Sequence, residues 1–237
     1  MSRLFEELDY QVTEIGAVSL RRRRILSLDQ DVWEVLLGEE HLMSSLFTAS
    51  EVALAKLGLA ALGEPPEGGW DITVGGLGLG YTAATALEHE GVGRLQVVEL
   101  LAPVIEWHAE GLVPLDPPLS ADARCTVHRG DFFALAASDE GFGVAQDAIL
   151  IDIDHTPDWL LDARSGSFYS VEGLGQLARH LKPGGVMGLW SDARTDETFI
   201  ERMKSVFSTA WAEPVTFHNP LQDTPFTQTV YLARKAR

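Results

Sequence analysis

From residue 71 onward, short apolar runs alternate with stretches of helical spacing. The strand candidates are Asp71–Val74, Arg94–Glu99, Arg124–His128, Asp147–Asp152 and Val186–Trp190. Between and after them, Tyr81–Glu90, Ala102–Gly111, Phe132–Ala137, Ser170–Leu181 and Glu197–Phe207 read as helices. Strands buried on both faces appear as near-continuous apolar runs, and helices as apolar stripes with a 3.6-residue period. Their alternation predicts an α/β fold, a mostly parallel sheet with helices on both faces. The chain ends differently. Val215–His218 and Thr227–Leu232 are separated only by Asn219-Pro220 and a polar loop. Two strands in succession predict an antiparallel hairpin at one edge of the sheet.

The first part of the chain has its own pattern. Gln11–Ile15, Ala17–Ser27 and Asp31–Leu37 carry β-branched and apolar residues, broken at Gly16 and at Asp29-Gln30. They predict a small N-terminal β region over residues 1–45. The run Arg21-Arg22-Arg23-Arg24 falls inside its second strand. Alternate side chains of a strand share a face, so the run reads as an edge strand guarded by charge. Ser45–Leu62 has a helical face, and Gly63-Glu-Pro-Pro-Glu-Gly-Gly69 is a breaker. Residues 46–69 are therefore read as a helix and linker, and 70–237 as the main domain.

Composition narrows the class. The 237 residues are 46% apolar and 22% charged, enough for a full core. The net charge of −17 argues against nucleic-acid partners, which need an excess of Lys and Arg, and suits a cationic small molecule. No apolar run is long enough to span a bilayer, and the acidic start MSRLFEELDY lacks the features of a secretory signal, so no membrane role and a cytoplasmic location are expected. Cys125, the single cysteine, cannot form an internal disulfide or build a zinc site alone, and no metal is expected.

The strongest chemical signal is Val74-Gly-Gly-Leu-Gly-Leu-Gly80, between a strand and a helix. Gly76, Gly78 and Gly80 let the chain turn tightly and let a ligand approach the backbone. Glu99 ends the next strand, where an acid accepts hydrogen bonds from ribose hydroxyls. Together they define a nucleoside site, which a nicotinamide dinucleotide also fits. Gly130-Asp131-Phe132 follows the third strand. Asp131 there can accept from an adenine amino group while Phe132 packs on the ring, or it can cap the next helix. The fourth signal is Ile151-Asp-Ile-Asp-His-Thr-Pro157, where a buried strand runs into carboxylates. Ligands of open α/β sheets bind at that edge. Asp152, Asp154 and His155 are the candidate catalytic residues, Asp152 to orient an acceptor and Asp154 or His155 to take its proton. Hydride transfer has no need of this acid pair, which weighs against a dehydrogenase.

Gly75–Gly80, Val98-Glu-Leu-Leu-Ala-Pro-Val-Ile-Glu106, Gly130-Asp131, Asp147–Asp154 and Leu181-Lys-Pro-Gly-Gly-Val186 together resemble class I S-adenosylmethionine-dependent methyltransferases, most of all their spermidine synthase-like branch. The resemblance is close over residues 70–235 and looser for the N-terminal strands. It implies a Rossmann-like, doubly wound sheet of seven strands with the last antiparallel. It implies glycines against the methionine and ribose, Glu99 on the ribose hydroxyls and Asp131 on adenine. Three departures stand out. Gly78 occupies the place of an acid that in the synthases holds the donor amine. His155 stands three after Asp152, where the second acid belongs, and Asp154 only two after. The Tyr-His-Glu segment is reduced to Ala49-Ser50-Glu51.

The resulting expectation is a transferase using S-adenosylmethionine or its decarboxylated form. Gly78 tilts the reading toward methyl transfer to an unidentified acceptor, with aminopropyl transfer to a polyamine as the alternative. A protein that keeps the fold and binds the nucleoside without turnover is the remaining rival. The small N-terminal sheet is the expected contact of a homodimer.

Overall fold

The computed structural model describes residues 4–237. Strands β1 (Phe5–Thr13), β2 (Gly16–Ile25), β3 (Gln30–Leu37) and β4 (Glu40–Ser44) form an antiparallel sheet in sequence order. The second sheet contains β5 (Trp70–Gly75), β6 (Val92–Glu99), β7 (Cys125–Arg129), β8 (Gln146–Ile151), β9 (Leu181–Ser191), β10 (Thr209–Asn219) and β11 (Thr224–Arg234). Its order is β10-β11-β9-β8-β5-β6-β7. Strands β5 to β9 pair in parallel, while β11 is antiparallel to both β9 and β10. This is the Rossmann-like, seven-stranded sheet with an antiparallel edge hairpin. The helices are α1 (Ala49–Ala60), α2 (Tyr81–Leu87), α3 (Ala102–Ala109), α4 (Phe132–Ala137), α5 (Val171–Arg179) and α6 (Glu197–Lys204). None is long and apolar enough to cross a membrane among the described residues.

The strand alternation divides the core into two layers. On β8, Ala148 and Leu150 face one layer with Ile72, Val74 and Leu54, while Ile149 and Ile151 face the other with Phe132, Leu174 and Phe199. A strand buried on both faces supplies apolar side chains alternately to the two helical layers. Helix α1 packs in the first layer through Leu54, Ala55 and Leu59. It thereby joins the large sheet rather than bridging to it. Val18, Leu20 and Val35 of the small sheet belong to the same continuous cluster.

Three differences from the sequence reading have local causes. Strand β1 starts at Phe5, and β4 continues a meander whose turn at Gly38 has φ 61. Strand β9 starts at Leu181, so the Lys-Pro-Gly-Gly segment belongs to the strand and α5 stops at Arg179. The arginine run does not lie on an edge, because β2 pairs with both β1 and β3. Acids of the neighbouring strands and of the β2–β3 turn pair with it: Arg22 with Glu6 at 2.8 Å, Arg23 with Glu34 at 2.7 Å, and Arg24 with Asp29 at 2.5 Å.

Candidate active site

The C-terminal ends of β5, β6, β8 and β9 converge on one cavity of about 660 Å³, and the small sheet closes its other side with Val35, Leu42 and Met43. That volume lies within the range of about 300–1,000 Å³ typical of small-molecule sites. Its lining includes Gly76, Gly78, Glu99 and Asp131, and also Glu51, Asp152, Asp192 and Gln228.

The glycine loop is tightly held. Gly76 has φ 91 and stands against the Asp152 backbone carbonyl, leaving no room for a side chain. The N–H of Gly76 donates to Val98 (2.9 Å), and that of Leu77 to Glu99 Oε2 (2.8 Å). Gly78 also donates to the Glu99 carboxylate, Leu79 donates to Met43 Sδ (2.8 Å), and Gly80 donates to Leu77 (2.8 Å). Every backbone N–H from Gly76 to Gly80 therefore has a partner within the protein. Gly78 has φ 48, and Met43 from β4 fills the space that a side chain at 78 would take. Gly80, φ 92, packs on His108, Leu115 and Leu119, away from the cavity.

Glu99 is buried. Its Oε1 accepts the Leu101 N–H at 2.8 Å, so the same carboxylate fixes the glycine loop and the start of α3. Burial pushes its carboxyl above the ordinary range, and the backbone N–H donors pull it back. Four backbone N–H groups, those of Leu101, Leu77, Gly78 and Leu100, face this carboxylate, which offers about four lone-pair sites. Asp131 borders the cavity and also caps α4, accepting from Ala134 N–H at 3.1 Å. Phe132 is not the ring at the cavity. It lies in the core against Phe142, and Phe133 borders the cavity instead. The first residue of α4 faces the sheet, and the next rotates by about 100° toward the opening.

The three residues after β8 take different parts. Asp152 is held by the Thr82 hydroxyl, which donates at 2.7 Å. Burial pushes its carboxyl up to about 6. Asp154, expected as a proton acceptor, also borders the cavity, and both its oxygens accept hydrogen bonds. Leu161 N–H donates to Oδ1 at 2.7 Å, and Tyr169 (2.8 Å) and Ser165 (3.1 Å) hydroxyls donate to Oδ2. Asp154 anchors the segment leading to α5. His155 borders the cavity, with Nε2 3.3 Å from Glu40 Oε1 and its ring 4.9 Å from that of Trp159.

The sequence reading counted Ala49-Ser50-Glu51 only as a reduced motif, yet Glu51 borders the cavity and is 4% exposed. Burial first, and then the Asp152 charge, push its carboxyl up to about 8. Around it, Trp190 Nε1 donates to Ser50 Oγ (2.8 Å), and Ser50 Oγ lies 2.9 Å from Glu51 Oε2 and 2.5 Å from Gln228 Oε1. Gln228 Nε2 donates to Asp192 Oδ1 at 2.7 Å. An acid in the first turn of a helix after a Thr-Ala-Ser sequence reads as a capping feature, which hides this role.

The Rossmann-like sheet with its antiparallel edge hairpin is a fold that this chain shares with solved spermidine synthases and with a methyltransferase-like protein. No family model matches the chain, and no curated protein matches its sequence. Solved structures do match. A spermidine synthase in complex with the transition-state analogue AdoDATO superposes with a TM-score of 0.74 at 16% identity, over 97% of this chain and 74% of that one. A probable spermidine synthase from Corynebacterium glutamicum gives 0.63 at 18% identity, over 95% and 79%. Human methyltransferase-like protein 13 in complex with SAH gives 0.58 at 19% identity, over 79% and 82%.

Proposed function

We propose that the protein is a transferase that moves a group from an adenosyl sulfonium donor to an amine, and that the group is aminopropyl. The observation that carries this reading is the lining of the cavity. In the glycine loop, the N–H groups that would receive a donor carboxylate are already engaged. Glu51, Asp152 and Asp192 line the same cavity. A carboxylate on the donor would meet acids without compensating N–H donors, which is costly in a partly desolvated cleft. A donor that ends in an ammonium, and an acceptor that is an amine, meet the opposite charge. The acidic chain as a whole draws cations toward the cleft.

The cavity suits the nucleoside end on the same terms. Gly76 and Gly78 leave backbone in place of side chains, and in this reading Glu99 serves the ribose hydroxyls and Asp131 and Phe133 the adenine. The sulfonium supplies a carbon already activated toward attack. The protein's part is alignment and removal of one proton. Asp152, oriented by Thr82, is the group placed to hold the attacking amine and take its proton. Its raised carboxyl, about 6, makes it a better proton acceptor near neutral pH than an ordinary aspartate.

Methyl transfer from S-adenosylmethionine is the second reading, and Gly78 is the observation that favours it, since no acid stands in the glycine loop. Incubation with decarboxylated S-adenosylmethionine and 1,4-diaminobutane, followed by mass spectrometry, separates the two. The aminopropyl reading predicts 5′-methylthioadenosine and spermidine in equal amounts. S-adenosylhomocysteine formed from S-adenosylmethionine, with no turnover of the decarboxylated donor, would replace it by the methyl reading.

A further inference from the structure

The hydrogen bonds around Ser50 contain a proton count that fixes the state of its neighbour. The Ser50 hydroxyl carries one proton and two acceptor lone pairs. Trp190 Nε1, which can only donate, takes one lone pair at 2.8 Å. Two further oxygens face Ser50 Oγ, Gln228 Oε1 at 2.5 Å and Glu51 Oε2 at 2.9 Å. The orientation of the Gln228 amide is set from its other side. Its Nε2 lies 2.7 Å from Asp192 Oδ1, and turning the amide over would put two acceptors in contact there. Gln228 therefore presents an oxygen to Ser50, and at 2.5 Å that contact needs the hydroxyl proton. The remaining contact, between Ser50 Oγ and Glu51 Oε2, then has no proton unless Glu51 brings one.

We propose that Glu51 is a specificity-determining residue that stands in the unliganded protein as a neutral carboxylic acid donating to Ser50, and that a cation entering the cavity expels its proton. With Glu51 protonated, Ser50 Oγ makes one donation and two acceptances, its full complement. The surroundings favour the same state. Glu51 is 4% exposed, and the charged groups that face it from the packed elements are Asp152 after β8 and Asp192 after β9. Tyr81 of α2, half-buried and itself pushed up by burial and by Glu51, is the remaining titratable neighbour. All are neutral or negative, so a second and third carboxylate charge would have no cation to meet. An ammonium in the cavity reverses this, because an opposite charge within a few ångströms favours the ionised acid. The balance is simple. The ammonium enters with its charge, the Glu51 O–H bond breaks, its electron pair stays on the carboxylate, and the proton leaves to solvent through the cavity mouth. The device ties tight binding to a full positive charge on the acceptor and keeps the empty site from accumulating negative charge.

This inference rests on the amine-acceptor reading for its second half only. Infrared difference spectra of the full chain at pH 7, native minus Glu51→Gln, test the first half without any ligand. A carboxylic-acid C=O band in the native protein that is lost in the variant is expected, and its absence overturns the proposal whatever the enzyme does. Glu51→Gln keeps an N–H donor toward Ser50 and so keeps the network. Calorimetry with 1,4-diaminobutane in buffers of different ionisation heat tests the second half. Binding should release about one proton per diamine in the native protein and none in the variant, with loss of the acid band. Binding without release, or equal release from the variant, overturns the proposal. A native acid band with no diamine bound at all refutes the amine-acceptor reading, and the proposed coupling to a cation falls with it.

Discussion

Replacing Glu51 by Gln should flatten the dependence of stability on pH, and the size of the effect follows from the burial of the acid pair. Glu51 is pushed from 4.5 up to about 8, and Asp152 from 3.8 up to about 6. Between its unfolded and folded values each carboxyl binds more proton in the native state than in the unfolded chain. Stability is therefore fully present at acid pH and is lost as pH rises toward the folded values. One excess proton corresponds to about 1.4 kcal/mol per pH unit. The informative window is pH 6.5 to 8. Asp152, pushed up to about 6, is already more than half ionised at the start of this window. His108, held below its ordinary 6.5 by burial, lowers stability only under that value. Glu51 then dominates, and unfolding free energy should fall by roughly 1–2 kcal/mol across the window, less than the full slope because the acid begins to ionise near 8. Urea titrations at four pH values, for the native protein and for Glu51→Gln, measure this directly. The variant should show little change over the same range. A flat native profile, or the same fall in both proteins, would refute the assignment of a neutral Glu51.

Other outcomes follow from individual side chains. Glu99→Gln should weaken 5′-methylthioadenosine at least tenfold by calorimetry, since charge-assisted hydrogen bonds are worth about 1.5–3 kcal/mol each; unchanged affinity would reduce Glu99 to a scaffold for the Leu77 and Leu101 amides. Gly78→Ala should lower the melting temperature by forcing Met43 aside at a φ of 48, a cost of order 1–3 kcal/mol, and Gly78→Ala with Met43→Ala should recover part of it. Asp154→Asn should speed proteolysis within residues 156–169 and leave the pH profile of turnover unmoved, because that carboxylate secures the segment through Leu161, Ser165 and Tyr169.

Much of the fold is legible in the sequence where a strand is buried on both faces. Ala148–Ile151 forms a continuous apolar run because both helical layers take residues from it. The glycine loop, Glu99 and Asp152 are legible for a related reason, since strand ends and turns carry local signals. What stays hidden depends on contacts distant in sequence. Nothing near residue 43 indicates that Met43 meets Gly78, or that Glu51 meets Asp152, because both contacts cross between separate elements. The choice between Phe132 and Phe133 depends on how α4 is rotated against Gly75, which adjacent aromatics cannot reveal. Asp154 looks like half of an acid pair in the chain. Only the return of the chain through Leu161 to Tyr169 brings the donors that engage it.

The most direct test of the account is a calorimetric titration of the full chain with decarboxylated S-adenosylmethionine and, separately, with S-adenosylmethionine. The filled N–H groups of the glycine loop and the acids across the cavity predict that the decarboxylated donor binds at least tenfold more tightly. Tighter binding of S-adenosylmethionine, or no binding of either, would contradict the account.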